Sequence, residues 1–389
     1  MQNNGVTPSN RESVYFPNLN SLRFVAVLLV FVHHVQQLSF SFLPKEIMGK
    51  ENAMIHSIGP LGVRLFFVLS GFLITYLLCV EKQRTSTINI KKFYIRRALR
   101  IWPLYYLTII LAFFILPLFP ALYSHDDMSH TMHIKEILTP LSLYLVFLPN
   151  IVLYVSGIIP FISQTWSIGT EEQFYFIWPV LFKKIKNKYL LLSSIIVLYT
   201  IIRYTLAHLP ANYTVNLLIF FWSAFPIDNM AIGGLFAVMI HDQDKISLTL
   251  KSIVFHKATQ ILTTILLIVS LVWGLIVPYF LFEYYSVLFG IIIVNLAAND
   301  RRLINIEFSF LKYLGKISYG LYMYHSLAIA ITLSVMIHFN QTSNFILYPV
   351  ALLLTILLSE ISYTYFEQRF IKKKRKFSVV VSGDNVEEK

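Results

Sequence analysis

Charge is scarce in this chain: Asp, Glu, Lys and Arg make up 13% of its 389 residues, against 56% hydrophobic residues. That balance excludes a soluble globular domain, and the mean hydropathy of +0.64 agrees. Cysteine is almost missing; Cys79 stands alone, which excludes an intrachain disulfide. No charged stretch is long enough for a separate folded domain, so a single integral membrane domain is expected. The first apolar stretch, starting near Leu22 and ~20 residues long, lacks a small-residue cleavage site and reads as a retained span. The second half does not echo the first, as the halves of a two-fold carrier would.

The charge that is present leans positive, with a net of +12, and it is confined to alternate loops. Basic residues gather in 81–100, in Lys183 to Lys188, in the 241–257 loop, in Arg301 to Lys316 and in Lys372 to Lys376, while the other loops hold Lys45, Lys50 and Lys135, with Arg203 near the end of a span. By the positive-inside rule the basic loops and both termini are cytoplasmic, and no nucleic-acid partner is needed to explain the charge. Candidate helices start near 22, 60, 101, 138, 165, 189, 217, 259, 279, 318 and 345. An odd number of crossings would separate the termini, so one of these should not cross. The segment 138–163, broken by Pro140, Pro149, Gly157 and Pro160, fits a re-entrant or interfacial piece. The expected fold is an all-α polytopic bundle of about 10 transmembrane helices plus that segment. Residues 1–17 form an N-terminal tail, 18–371 the membrane domain, and 372–389 a basic, then acidic, disordered cytoplasmic tail.

Three segments place ionisable residues where a bundle can use them. In LRFVAVLLVFVHH, Arg23 and His34 are eleven positions apart, about three turns, so both fall on one face, ~16 Å apart along the axis. Arg23 would lie at the cytoplasmic interface, where a snorkelling anchor is the plainer explanation, and His34 somewhat beyond mid-membrane; His33 must face elsewhere. In FYIRRALRIWPLYYL, Arg96, Arg97 and Arg100 stack at three- and four-residue spacing, suited to an anionic, phosphate-bearing ligand or to lipid headgroups. In QTWSIGTEEQFYFIWP, Glu171 and Glu172 stand at the outer mouth of a span, near the depth of His34, among Trp166, Phe174, Tyr175 and Trp178, which read as interfacial anchors. The carboxylates can orient an imidazole, bind sugar hydroxyls, or form a structural salt bridge.

These motifs resemble those of the membrane-bound acyltransferase 3 family, bacterial O-acyltransferases of envelope polysaccharides and other hydroxylated acceptors. The resemblance covers roughly residues 18–371. LNSLRFVAVLLVFVHH, GVRLFFVLSGFLIT (Gly62–Thr75), FYIRRALRIWPLYYL (Phe93–Leu107) and TWSIGTEEQFYFIWP occur in the family's order, and weaker echoes follow in FPIDNMAIGGLFA (Phe225–Ala237), ISYGLYMYH ending at His325, and SYTYFEQRF around Glu367. Arg64 departs from an acid found in many members, where it can act on acceptor or lipid preference in an outer vestibule or anchor at the surface. Asn20 and Ser21 replace Asp-Gly, and Gly169 and Thr170 are loose variants.

The resemblance implies an acyl donor, acetyl-CoA, bound from the cytoplasm without a permanently held cofactor. It also implies a carbohydrate or glycolipid acceptor on the outer side, in a multi-pass protein of the bacterial inner membrane in contact with its lipids. Arg23, Arg97 and Arg100, with Arg96 as helper, would hold the CoA phosphates; His34 would be general base or transient acyl carrier; Glu171 or Glu172 would orient the imidazole or the acceptor. Ser70 and Gly71 give room to the pantetheine arm or serve close helix packing. His325 and Glu367 are expected to be structural partners, and no metal ligands are assigned. The chain ends soon after the last span, so the extracytoplasmic esterase-like domain of some relatives is not expected. A transporter or flippase of a polar or lipid-linked solute is the alternative, since buried charge and a basic inner face also describe carriers.

Overall fold

The computed structural model describes residues 13–43, 52–124, 134–273, 280–378 and 380–382. Lys45, Lys50, the side chain of Lys135, residues 1–12 and the acidic end of the tail at 383–389 lie outside the described residues. In chain order the helices are α1 (Leu19–Phe42), α2 (Ala53–Thr85), α3 (Ile90–Ile110), α4 (Ile134–Leu145), α5 (Pro149–Val155), α6 (Trp166–Lys184), α7 (Lys188–His208) and α8 (Tyr213–Ser223). They continue with α9 (Ile227–His241), α10 (Lys245–Val254), α11 (Lys257–Trp273), α12 (Leu281–Ala298), α13 (Ser309–Lys316), α14 (Ser318–His338), α15 (Asn344–Ser362) and α16 (Gln368–Lys374). A π-turn at Leu111–Ile115 prolongs α3, and another at Tyr363–Glu367 joins α15 to α16.

Local sequence sets where these helices start. Asn52, Asn89, Asn187, Asn212 and Asp244 each precede a helix and accept hydrogen bonds from its first free amides. At Asp244 the bonds from the Ser247 hydroxyl and amide hold the carboxyl below the usual carboxylate range. Lysines and arginines close α2, α6 and α16, where cations favour the negative end of the helix dipole. The tightest packing joins α2 to α9. A Cβ on Gly71 would collide with the Met230 carbonyl, and one on Gly233 with the Val68 carbonyl, so only glycine lets these backbones approach so closely.

Eight of the described helices or helix runs are long and apolar enough to cross a membrane, or nine if α10 and α11, bent by 61°, count as one span. The segment 138–163 forms the short helices α4 and α5 and no crossing helix. Helix α6 carries Glu171, Glu172, Lys183 and Lys184 and falls outside the apolar set, although it runs through the bundle. One end of the bundle collects the basic turns: Lys183 Nζ donates to the Ile88 carbonyl (3.1 Å), His241 Nε2 meets Gln83 Oε1 (3.1 Å), and Asn18 Nδ2 donates to the Leu296 carbonyl (3.0 Å). At this end Ser13–Val14 pairs in parallel with Val381–Ser382, so the first and last described segments meet on the same face.

Candidate active site

Helices α1 and α2 run antiparallel and fix the depth of every group in the site. Gly59 packs against the His33 ring and Gly62 against the Ala26 carbonyl and Val30, which places Ser70 opposite Asn20 and Arg23. Ser70 lies eleven residues, or ~16 Å, along α2 from the His33 level. At the Arg23 end a cavity of about 110 Å³ opens, and Tyr15, Arg23, Ser70, Arg97, Arg100, Tyr175 and Lys374 contribute to its wall.

The cavity is strongly cationic. Arg23 is steadied by Asn20, whose Oδ1 accepts from Nη1 at 2.7 Å. The Arg97 guanidinium sits 5.8 Å from the Phe93 ring centre and 5.7 Å from that of Tyr175, and among the described residues its buried Nε has no hydrogen-bond partner. A buried donor of this kind calls for an acceptor, and a phosphate oxygen suits it. Burial and the Glu307 carboxylate that takes its hydrogen bond push the Tyr15 hydroxyl up to about 12, leaving it a neutral donor at the cavity rim. Arg96 is otherwise engaged: Nη2 donates to Glu81 (2.8 Å) and Nη1 to the Phe377 carbonyl (3.0 Å), tying the C-terminal segment to α3.

The two glutamates stand elsewhere than the sequence placed them. Glu171 accepts from Ser70 Oγ (2.7 Å) and Tyr175 OH (2.8 Å), at the level of the cationic cavity and not of His34. Glu172 accepts from Trp102 Nε1 at 2.8 Å. The cause is the path before α6: Gln164 already donates to the Met323 carbonyl (3.2 Å) and Ser167 Oγ meets Tyr322 OH (2.7 Å), so α6 starts deep in the bundle and carries Glu171 further towards Arg23. Trp178, Tyr175 and Phe174 are likewise no interfacial belt; all three are buried, and Trp178 Nε1 donates to Thr75 Oγ1 at 3.1 Å.

The expected orienting partner of His34 is replaced by another histidine. His34 Nδ1 lies 2.9 Å from His325 Nε2, and His325 Nδ1 lies 2.6 Å from the Tyr322 carbonyl. His33 turns away, its Nδ1 at 3.3 Å from the Ile55 carbonyl. Glu367, bonded by Ser362 Oγ at 3.3 Å, is a buried partner within the bundle. Of the small pair, Gly71 serves the α2–α9 contact, while Ser70 lines the cavity.

Arg64 is not at the surface. It is 6% exposed, its guanidinium carbon lies 4.1 Å from the centre of the Phe282 ring, and its charged neighbours are Asp228, Glu283 and Arg203. Arg203 Nη2 and Glu283 Oε1 form an ion pair at 2.6 Å. Three residues at or beside the site carried other readings in the sequence: Lys374 counted only in the basic tail, Tyr175 as an interfacial anchor, and His325 as a structural partner. Only the ISYGLYMYH echo hinted at the last of these.

Comparison with known proteins completes the description. The family described as "Acyltransferase domain" matches residues 16–363. The chain is 25% identical over 346 residues, 83% of its length, to the peptidoglycan O-acetyltransferase OatA of Listeria monocytogenes, covering 50% of that protein. It is 24% identical over 375 residues, 92% of its length, to the O-acetyltransferase OatA of Staphylococcus aureus, covering 58% of it. The chain thus spans between half and three-fifths of these relatives. No solved structure matches it.

Proposed function

This chain belongs to the acyltransferase domain family, and from that premise we propose that it is a membrane O-acetyltransferase, moving an acetyl group from cytoplasmic acetyl-CoA to a hydroxyl of an extracytoplasmic carbohydrate. The observation that carries the proposal is the cationic cavity at the Arg23 end of α1, three helical turns from His34 on the same helix. Arg23, Arg97, Arg100 and Lys374 hold the phosphates, and the pantetheine arm runs along α1 towards His34. Glu171 braces Ser70 and Tyr175 in the cavity wall, and Glu172 ties α6 to Trp102 of α3. His34 takes the proton of the acceptor hydroxyl as its oxygen attacks the thioester carbonyl; the C–S bond breaks and CoA leaves as the thiol, carrying that proton.

The basic end of the bundle faces the cytoplasm in this reading, in the bacterial inner membrane. Adding α6 and the bent α10–α11 pair to the eight apolar runs gives ten crossings, an even number that suits the first and last described segments meeting on one face. The test is transfer in proteoliposomes, with labelled acetyl-CoA on the basic side and peptidoglycan fragments on the other, the acceptor suggested by the name of the Listeria relative. Wild type and His33→Ala should label the fragments, and His34→Ala should fall by about 10²–10⁴-fold. Intact solute crossing without label on any acceptor would replace the proposal with a carrier.

A further inference from the structure

We infer that His325 is a positioning residue that fixes the tautomer of His34, so that Nε2 of His34 is the nitrogen that takes the acceptor's proton; this rests on the acyl-transfer reading above. The two histidines lie 291 positions apart in the chain, on α1 and α14, with ring centres 4.9 Å apart. One group in the relay has a fixed role. The Tyr322 carbonyl can only accept, so His325 Nδ1, 2.6 Å away, carries a hydrogen. His325 has no exposed surface, and its ring nitrogens face a carbonyl oxygen, an imidazole and, at 3.4 Å, the Ser326 hydroxyl. None of these can offset a buried imidazolium, so the ring is neutral and its Nε2 is a lone pair.

The 2.9 Å contact then has one sense: His34 Nδ1 donates to His325 Nε2. With its hydrogen on Nδ1, His34 is left with a basic Nε2. An unrestrained histidine side chain favours the opposite tautomer, so the relay from carbonyl to imidazole to imidazole reverses the default and holds the ring in one orientation. The work a carboxylate does in other histidine bases is here done by a neutral ring, which suits a membrane interior where a second buried charge would be costly. Glu171 and Glu172, on Ser70, Tyr175 and Trp102, take no part in it.

The test compares full-length wild type with His325→Phe, which keeps a ring, His325→Leu, and His325→Gln, whose side-chain oxygen can accept from His34 Nδ1. Two measurements are made: acetyl transfer from acetyl-CoA to peptidoglycan fragments, and the rate of carbethoxylation of His34 by diethylpyrocarbonate, followed residue by residue by mass spectrometry. Loss of the acceptor nitrogen should lower kcat roughly 10–100-fold, with the KM for acetyl-CoA within about twofold, and should slow carbethoxylation of His34 several-fold. His325→Gln should recover most of both. A Phe or Leu variant that melts like wild type and keeps its turnover and His34 reactivity overturns the inference, as does a Gln variant as impaired in both as the other two. If wild type itself transfers no acetyl, the acyltransferase reading fails, and the carbethoxylation rates alone decide the role of His325. Should Phe and Leu both fail to fold, an unchanged His34 rate in the Gln variant supports the relay and a fallen one overturns it.

Discussion

Two groups of charge lie inside this bundle, and they are balanced differently. Around the cavity at the Arg23 end stand four cations, Arg23, Arg97, Arg100 and Lys374, with Glu171 bonded to the wall residues Ser70 and Tyr175. In the second group two arginines, Arg64 and Arg203, face two acids, Asp228 and Glu283, and none of the four lines that cavity. Four cations around an open space suit the anionic ligand proposed above, with its forked and point-charge phosphate contacts. Matched charge in a packed place needs no visitor, and the second group ties α2, α7, α9 and α12 to one another.

The difference is open to attack from either side. The largest effect is expected in the balanced group: Arg203→Leu leaves Glu283 buried without its ion partner, and should cost about 3–5 kcal/mol in unfolding of the purified protein, with Arg203→Leu/Glu283→Leu recovering most of it. In the cavity group, Arg97→Ala should weaken acetyl-CoA binding by about 1.5–3 kcal/mol, read by titration, while the melting temperature holds or rises because like charges no longer crowd one another. Lys374→Gln should raise the KM for acetyl-CoA by about three- to tenfold, a smaller loss because a lysine offers a single hydrated charge in place of a forked donor. The smallest is Ser70→Ala, which removes one of the two bonds to Glu171 and should cost about 0.5 kcal/mol of donor affinity, roughly twofold. If Arg97→Ala destabilised the fold as Arg203→Leu does, the distinction between ligand site and structural lock would be lost.

What the sequence could reveal depended on how local the signal was. The shared face of Arg23 and His34 follows from helical phase alone, as does the stacking of Arg97 and Arg100, and the prolines of 138–163 marked the segment that breaks into α4 and α5. Glu171 was misplaced because its depth depends on how far α4 and α5 carry the chain back into the bundle before α6 begins, a distance that hydropathy does not encode. The contact of His325 with His34 and the place of Lys374 in the cavity wall were not foreseen for a related reason: each arises only through the packing of helices remote in sequence. Arg64 looked like an interfacial residue because the acids that balance it come from α9 and α12.

The pairing of Ser13–Val14 with Val381–Ser382 also has a meaning in time. Chains grow at about 5–20 residues per second, so roughly half a minute or so separates the synthesis of Arg23 from that of Lys374, and α1 enters the membrane long before the cavity it lines can be closed. A chain stopped short of α16 would still insert most of its apolar helices while lacking Lys374 and the strand that joins the two segments. In the proposed function, the donor pocket is therefore finished last in the life of the nascent protein, and a half-made chain has no complete place in which to trap the acyl donor.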